Sequence, residues 1–166
     1  MTTIHGTSRI GSNGFEPSPR LRAVLQTVLV DLIALHLQAK QAHWNVVGHN
    51  FRDLHLQLDE IVGTAREASD TIAERMRALG APADGRAPTV AGTSSLHPLP
   101  AGELLTSDVV DLVTGSLRDV VATIRTVHDE VDADDPSTSD LLHAIIDGLE
   151  KQAWMLSAEN RVPNAR

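Results

Sequence analysis

Between Phe51 and Leu79 the apolar residues Phe51, Leu54, Leu58, Ile61, Ala65, Ala68, Ile72 and Met76 recur at a helical period, and two pairs of polar residues ride on that helix. His55 stands one turn before Asp59, and Asp70 one turn before Glu74. An i, i+4 pair places two side chains on one face, which is how a helix offers two ligands to one ion. Asp59 and Asp70 lie about three turns apart, so both pairs share nearly one stripe, but the rise between them is roughly 16 Å and one ion cannot reach both. An antiparallel copy of the same helix removes the difficulty. Its Glu74 falls opposite His55 and its Asp70 opposite Asp59, with the two-fold axis between Thr64 and Ala65 in each case. Gly63, Thr64, Ala65, Ala68 and Ser69 cluster there, small enough for two helices to approach closely. The spacing predicts a metal site shared between two subunits.

His43 fits the same site from the preceding helix. The stretch Val47-Gly48-His49-Asn50 suits a tight reversal, which folds His43 back against the second helix. The predicted ligands are then His43, His55 and Asp59 from one subunit with Asp70 and Glu74 from the other. Two imidazoles among carboxylates, with no thiolate in a chain that has no Cys, suit iron, manganese or zinc.

The periodicity predicts an all-α fold of four long helices: Leu21 to Val46, Phe51 to Leu79, one starting at a Ser107 cap and ending at Asp134-Asp135-Pro136, and Ser137 to Asn160. Residues 1–19 read as a loosely attached polar tail, 20–161 as the bundle and 162–166 as a short C-terminal tail. Gly80-Ala81-Pro82 stops the second helix. The connection to the third carries Pro82, Pro88, Pro98 and Pro100, with one short helix expected from Thr89 to Leu96. Short links within each pair and a long crossover between the pairs make the second and third helices parallel, which is ferritin-like connectivity. No Glu is followed three residues later by His, so the intrachain di-iron motif of that class is absent.

The residues KQAHWN at Lys40–Asn45, the pattern from Gly48 to Asp59 and SDTIAERMRALG at Ser69–Gly80 resemble the Dps family of mini-ferritins, and the resemblance extends from about Leu21 to Arg161. It implies a hollow dodecamer that oxidises Fe(II), preferentially with hydrogen peroxide, and stores the ferric product, protecting against oxidative damage. It carries the ferroxidase ligands over to His43, His55, Asp59, Asp70 and Glu74, and suggests that the Trp44 ring, close to the iron, takes up oxidising equivalents. The resemblance also places iron-entry pores at the turn between the last two helices, where Asp134, Asp135 and Asp140 are the candidates among the acids Asp129, Glu130 and Asp132. Threefold repetition would focus cations there.

Other polar residues read as structural. His128 with Asp132 and His143 with Asp147 repeat the i, i+4 spacing without a mirrored acidic pair, His36 reads as a satisfied core histidine, and Trp154 as core packing. The family name raises a second function, DNA binding and compaction. The lysines are Lys40 and Lys151, both within helices, the tail to Arg20 offers Arg9 and Arg20 against Glu16, and Arg161 and Arg166 close the chain. Twelve copies at −8 each would carry −96 and repel DNA at long range. The absence of Cys and of an apolar run in MTTIHGTSRIGSNGFEPSPR predicts a cytoplasmic protein with no membrane partner.

Overall fold

The computed structural model describes residues 15–163, and the parts of the expected tails at 1–14 and 164–166, including Arg9 and Arg166, lie outside the described residues. The fold is all-α: α1 (Pro19–Asn45), α2 (Phe51–Ala78), a short α3 (Ala87–Thr93), α4 (Thr106–Asp134) and α5 (Pro136–Ser157), followed by one 3-10 turn at Ala158–Asn160. The short helix begins two residues before the expected Thr89 and stops at Thr93, because Pro88 is a good first-turn residue and Arg86 supplies the extended residue before it.

The chain is already attached at residues 15–18, which correct the expected tail: Phe15 packs on the core and Pro17 is buried. The Ser18 side chain accepts from the Leu21 amide at 2.9 Å, and Pro19 opens α1 where its missing donor costs nothing. Where α2 stops, Gly80 takes the left-handed φ of 77°. The Ala81 amide then bonds the Met76 carbonyl at 2.9 Å, a glycine-terminated helix end.

Two residues on each side fix the topology. Val46–Val47, leaving α1, pair in parallel with Leu104–Leu105, entering α4. The chain therefore returns along the whole bundle between α2 and α4, which makes those helices parallel, as the crossover required. This pairing also overturns the expected Ser107 cap: the strand holds Leu105 extended until Thr106, so the helix starts there without a side-chain cap. Gly48, at φ 120°, sits against Thr106 in the same corner.

The core is one contiguous cluster. Leu25, Leu32 and Leu35 of α1 meet Leu58, Ile61 and Ile72 of α2, Leu117 and Ile124 of α4, and Leu142 and Leu149 of α5, all with almost no exposure. Burial of each such side chain contributes about 2 kcal/mol. α1 is long and apolar enough to cross a membrane by composition, but most of its Leu and Val side chains are buried within the bundle, Leu37 being exposed. Trp154 corrects the sequence reading: it is 63% exposed. Leu149, Ala153 and Leu156 occupy the inward stripe of α5, and one residue further turns a side chain about 100° away from it.

A buried carboxylate holds the crossover down. Asp31 is fully buried in α1 and accepts from the Ser95 amide at 2.8 Å, the Ser95 hydroxyl at 2.6 Å, the Ser94 hydroxyl at 3.1 Å and Thr123 of α4 at 3.2 Å. Gln26 adds a second tie, donating to the Asp84 carbonyl at 2.8 Å and accepting from its amide at 3.0 Å.

Candidate metal centre

The reversal at Gly48–Asn50 brings the C-terminal turn of α1 against the first turns of α2. His43 and His55 stack there with ring centroids 3.6 Å apart and planes inclined by 22°. Each ring hydrogen-bonds the other's backbone: His43 Nδ1 to the His55 carbonyl at 2.8 Å, and His55 Nδ1 to the His43 carbonyl at 2.9 Å. A carbonyl can only accept, so both Nδ1 atoms carry the proton, and in each neutral ring Nε2 keeps the lone pair a metal needs. Phe51 packs beside them, its ring tilted by 33° and 5.2 Å from His55. His43 is 7% exposed and His55 partly exposed, so the pair is oriented before any ion arrives.

Asp59 joins them. Its Oδ1 lies 3.5 Å from His43 Nδ1, too far for a hydrogen bond, and 2.5 Å from the Lys40 ammonium. The hydrogen bond from Lys40, followed by the nearby His43 and His55, holds the Asp59 carboxyl below its usual range although burial opposes this, so it is anionic at neutral pH. Lys40 belongs to the KQAHWN stretch, and no spacing in the sequence marks it as a neighbour of Asp59.

Asp70 and Glu74 stand apart from this group, exposed on the second half of α2. Among the described residues no three His, Asp or Glu side chains of one chain converge as metal ligands. The chain stacks two of the five predicted ligands, His43 and His55, holds Asp59 at their edge through Lys40, and leaves Asp70 and Glu74 facing outward. An open groove of about 700 Å³ runs between α1 and the middle of α2, lined by His36, Gly63, Arg66, Glu67, Asp70 and Ala73. A Cβ on Gly63 would meet nothing within 4 Å, so this part of α2 is bare in the single chain.

The remaining candidates separate by environment. Trp44 is next to a ligand but 67% exposed. His36 is not satisfied as expected: its Nδ1 is buried with no hydrogen bond of normal geometry. Burial, then the Arg66 guanidinium, pushes its pKa down, while the Ile33 carbonyl partly offsets them. His128 and His143 lie with ring centroids 4.4 Å apart and planes tilted by 34°, and His128 meets Ser139 at 3.0 Å and Asp129 at 3.2 Å.

At the α4–α5 turn, Asp140 is exposed and Asp134 partly exposed, with one Asp134 oxygen taking the Ser18 amide at 3.3 Å. Asp135 departs from the pore expectation. It is buried, pairs with Arg75 of α2 at 2.5 Å and accepts from Thr138, which makes it a pin between α2 and the turn. Burial alone would raise its pKa, but the hydrogen bonds from Thr138 and Arg75 hold it below the usual carboxylate range. Glu130 is taken up by Arg20 at 2.8 Å.

Comparison with known proteins bears on both the fold and the site. A ferritin-like domain model matches residues 22–161. DNA protection during starvation protein 2 of Deinococcus radiodurans is 35% identical over 145 residues, which cover 87% of this chain; the chain spans only 60% of that relative's length. The crystal structure of Dps92 from Deinococcus radiodurans superposes with a TM-score of 0.83 at 34% identity, covering 87% of this chain and 88% of the other. A Dps from Microbacterium arborescens, in a form described as high iron, gives 0.80 at 33% identity over 87% of this chain and 97% of the other.

Proposed function

The chain belongs to the Dps family of ferritin-like proteins, a family of iron storage and protection during starvation, and from that premise we propose that it is a ferroxidase whose centre is completed by a second subunit. The observation that carries this reading is the division of the ligands along α2: two oriented imidazoles and Asp59 at one end, two exposed carboxylates at the other, with Asp70 bordering an open groove. An antiparallel partner seated on that groove brings its Asp70 and Glu74 to His43, His55 and Asp59.

Iron is the substrate. The free Nε2 atoms and the carboxylates bind Fe(II), and the carboxylate charge favours Fe(III). Two Fe(II) ions each give one electron to hydrogen peroxide, the O–O bond breaks, and the two oxygens leave as hydroxide or, with protons, as water. Delivering both electrons together avoids hydroxyl radical; dioxygen is the alternative oxidant. Trp44, beside His43, is positioned to take up stray oxidising equivalents. Asp134 and Asp140 remain the pore candidates, in a cytoplasmic shell of twelve subunits that stores the ferric product. DNA compaction is less favoured: the chain carries −8, Lys40 is bound to Asp59, and Arg20 to Glu130.

The test is complementation. His55→Ala and Asp70→Ala proteins are each loaded anaerobically with Fe(II) and oxidised with peroxide, alone and after joint unfolding and reassembly. Half of randomly mixed dimers are hybrids with one intact centre of two, so oxidation returns to about a quarter of the wild-type rate. A mixture no more active than its two components would show that the five residues do not act across a subunit interface.

A further inference from the structure

Within the shared-centre reading, on which this inference rests, we propose that Gly63 is a slot for the Arg66 side chain of a second copy of this chain, and that the two reciprocal seats set the register in which the halves of each centre meet. Gly63 stands one turn after Asp59 and Arg66 one turn before Asp70, so both lie on the ligand-bearing face of α2. They are also equidistant from the midpoint between Thr64 and Ala65, as are His55 and Glu74, or Asp59 and Asp70. In the antiparallel pair that unites the ligands, Arg66 therefore comes to rest opposite the partner's Gly63, and the symmetry repeats the contact.

Neither residue is accounted for by the single chain. Gly63 is the one glycine of α2, in a helix interior that disfavours it, and no neighbour needs the space: an added Cβ would meet nothing within 4 Å. Arg66 is exposed, and its guanidinium takes part in no ion pair among the described residues. It borders the groove close to His36, where burial and then this charge push the imidazole's pKa down. Charge points to the same occupant. Glu60 and Glu67, three residues before and four after Gly63, are exposed and also make no ion pair among the described residues. An arginine laid over the partner's Gly63 therefore finds a carboxylate one turn away on either side. A partner slid by one turn would set Arg66 against Asp59 or Glu67 instead of a gap, and His55 against Asp70 or Ala78 instead of Glu74. The glycine admits one alignment closely, and that alignment completes the metal centre.

The test exchanges the two residues in the full chain and follows assembly on dilution by sedimentation, with peroxide-driven Fe(II) oxidation measured on the same samples. Gly63→Arg sets two arginines against each other and Arg66→Gly leaves the slot empty, so each should weaken association roughly tenfold or more and slow oxidation in step. The double variant Gly63→Arg with Arg66→Gly again places an arginine opposite a glycine, and its association should return to within about threefold of the wild type. Gly63→Gln separates the interface from the helix: it should raise the helix content of the dissociated chain, because glutamine suits a helix better than glycine, and still weaken association. Single variants that assemble as the wild type, a double variant no better than the weaker single, or a Gly63→Gln protein that assembles normally overturns the proposal. An Asp70→Ala control separates the two readings. Slowed oxidation there, with normal assembly of the exchange variants, removes only the arginine seat, whereas oxidation that Asp70→Ala leaves unchanged overturns the shared centre itself.

Discussion

The two ends of α2 treat their ligands in opposite ways. At the N-terminal end, His55 is stacked, hydrogen-bonded to α1 and fixed in one tautomer; at the C-terminal end, Asp70 and Glu74 stand exposed with no hydrogen-bond or ion-pair partner among the described residues. The difference follows from what each ligand needs. An imidazole must present a particular nitrogen in a particular direction, so the fold has to hold it. A carboxylate has two equivalent oxygens and a charge, and a helix face is enough to aim it.

The largest effect that would break this contrast comes from substituting each end in turn. Asp70→Ala should slow Fe(II) oxidation by roughly a hundredfold while leaving denaturant stability unchanged, because none of the described residues rests on that carboxylate. His55→Ala should slow oxidation to a similar degree and also lose about 1 kcal/mol of stability, since it removes the bond to the His43 carbonyl and one face of the stack. Equal stability losses from the two, measured by chemical unfolding of the same preparations, would end the distinction between a built half and a bare half.

Asp135 sharpens the contrast from the carboxylate end, because it shows what an acid looks like when the chain does use it. Removing it with Asp135→Ala leaves the Arg75 guanidinium without its partner and should cost about 2 kcal/mol, at the lower end for such pairs because Arg75 is partly exposed. Its lowered pKa gives the pH dependence: the contribution is complete above the ordinary carboxylate value near 4 and is lost as pH falls through the lower folded value. Asp135→Asn should therefore flatten the acid limb of a stability profile. A substitution that left both stability and the acid limb untouched would return Asp135 to the pore.

The smallest effect belongs to His36, midway between the ends. Its folded pKa is lowered by burial and Arg66, so its contribution is complete above about 6.5 and declines as pH falls below that value and the unfolded chain takes up a proton. Thermal midpoints at pH 7.5 and 5.5 should differ less for His36→Leu than for the wild type; an unchanged difference would mean that the imidazole stays as solvated in the folded protein as in the unfolded one.

Much of this was legible in the sequence. The apolar period that marks α2 also orders its polar residues, so the mirrored pairs could be read from spacing alone. What escaped depends on contacts between distant residues. The hydroxyls and amide that surround Asp31 come from Ser94, Ser95 and Thr123, and no local pattern announces that they meet in one buried place. The Val46–Val47 strand is too short to show an alternation, yet it decides where α4 begins. Asp135 looked like its acidic neighbours because the arginine that claims it lies on another helix. Trp154 misled for a different reason: size and apolarity argued for burial, while its position one residue off the inward stripe argued against it.

The exchange of hydrogen bonds between His43 and His55 also constrains how such a chain can change over generations. Each imidazole braces the backbone of the other, so losing either one removes a ligand and loosens the strand of chain that carries the second. The effects of the two losses should not add, because the first already forfeits much of what the second would take away. A lineage drifting toward a different metal preference would find single histidine replacements steeply penalised and the paired replacement comparatively open, which leaves the exposed acids as the positions where variation can begin.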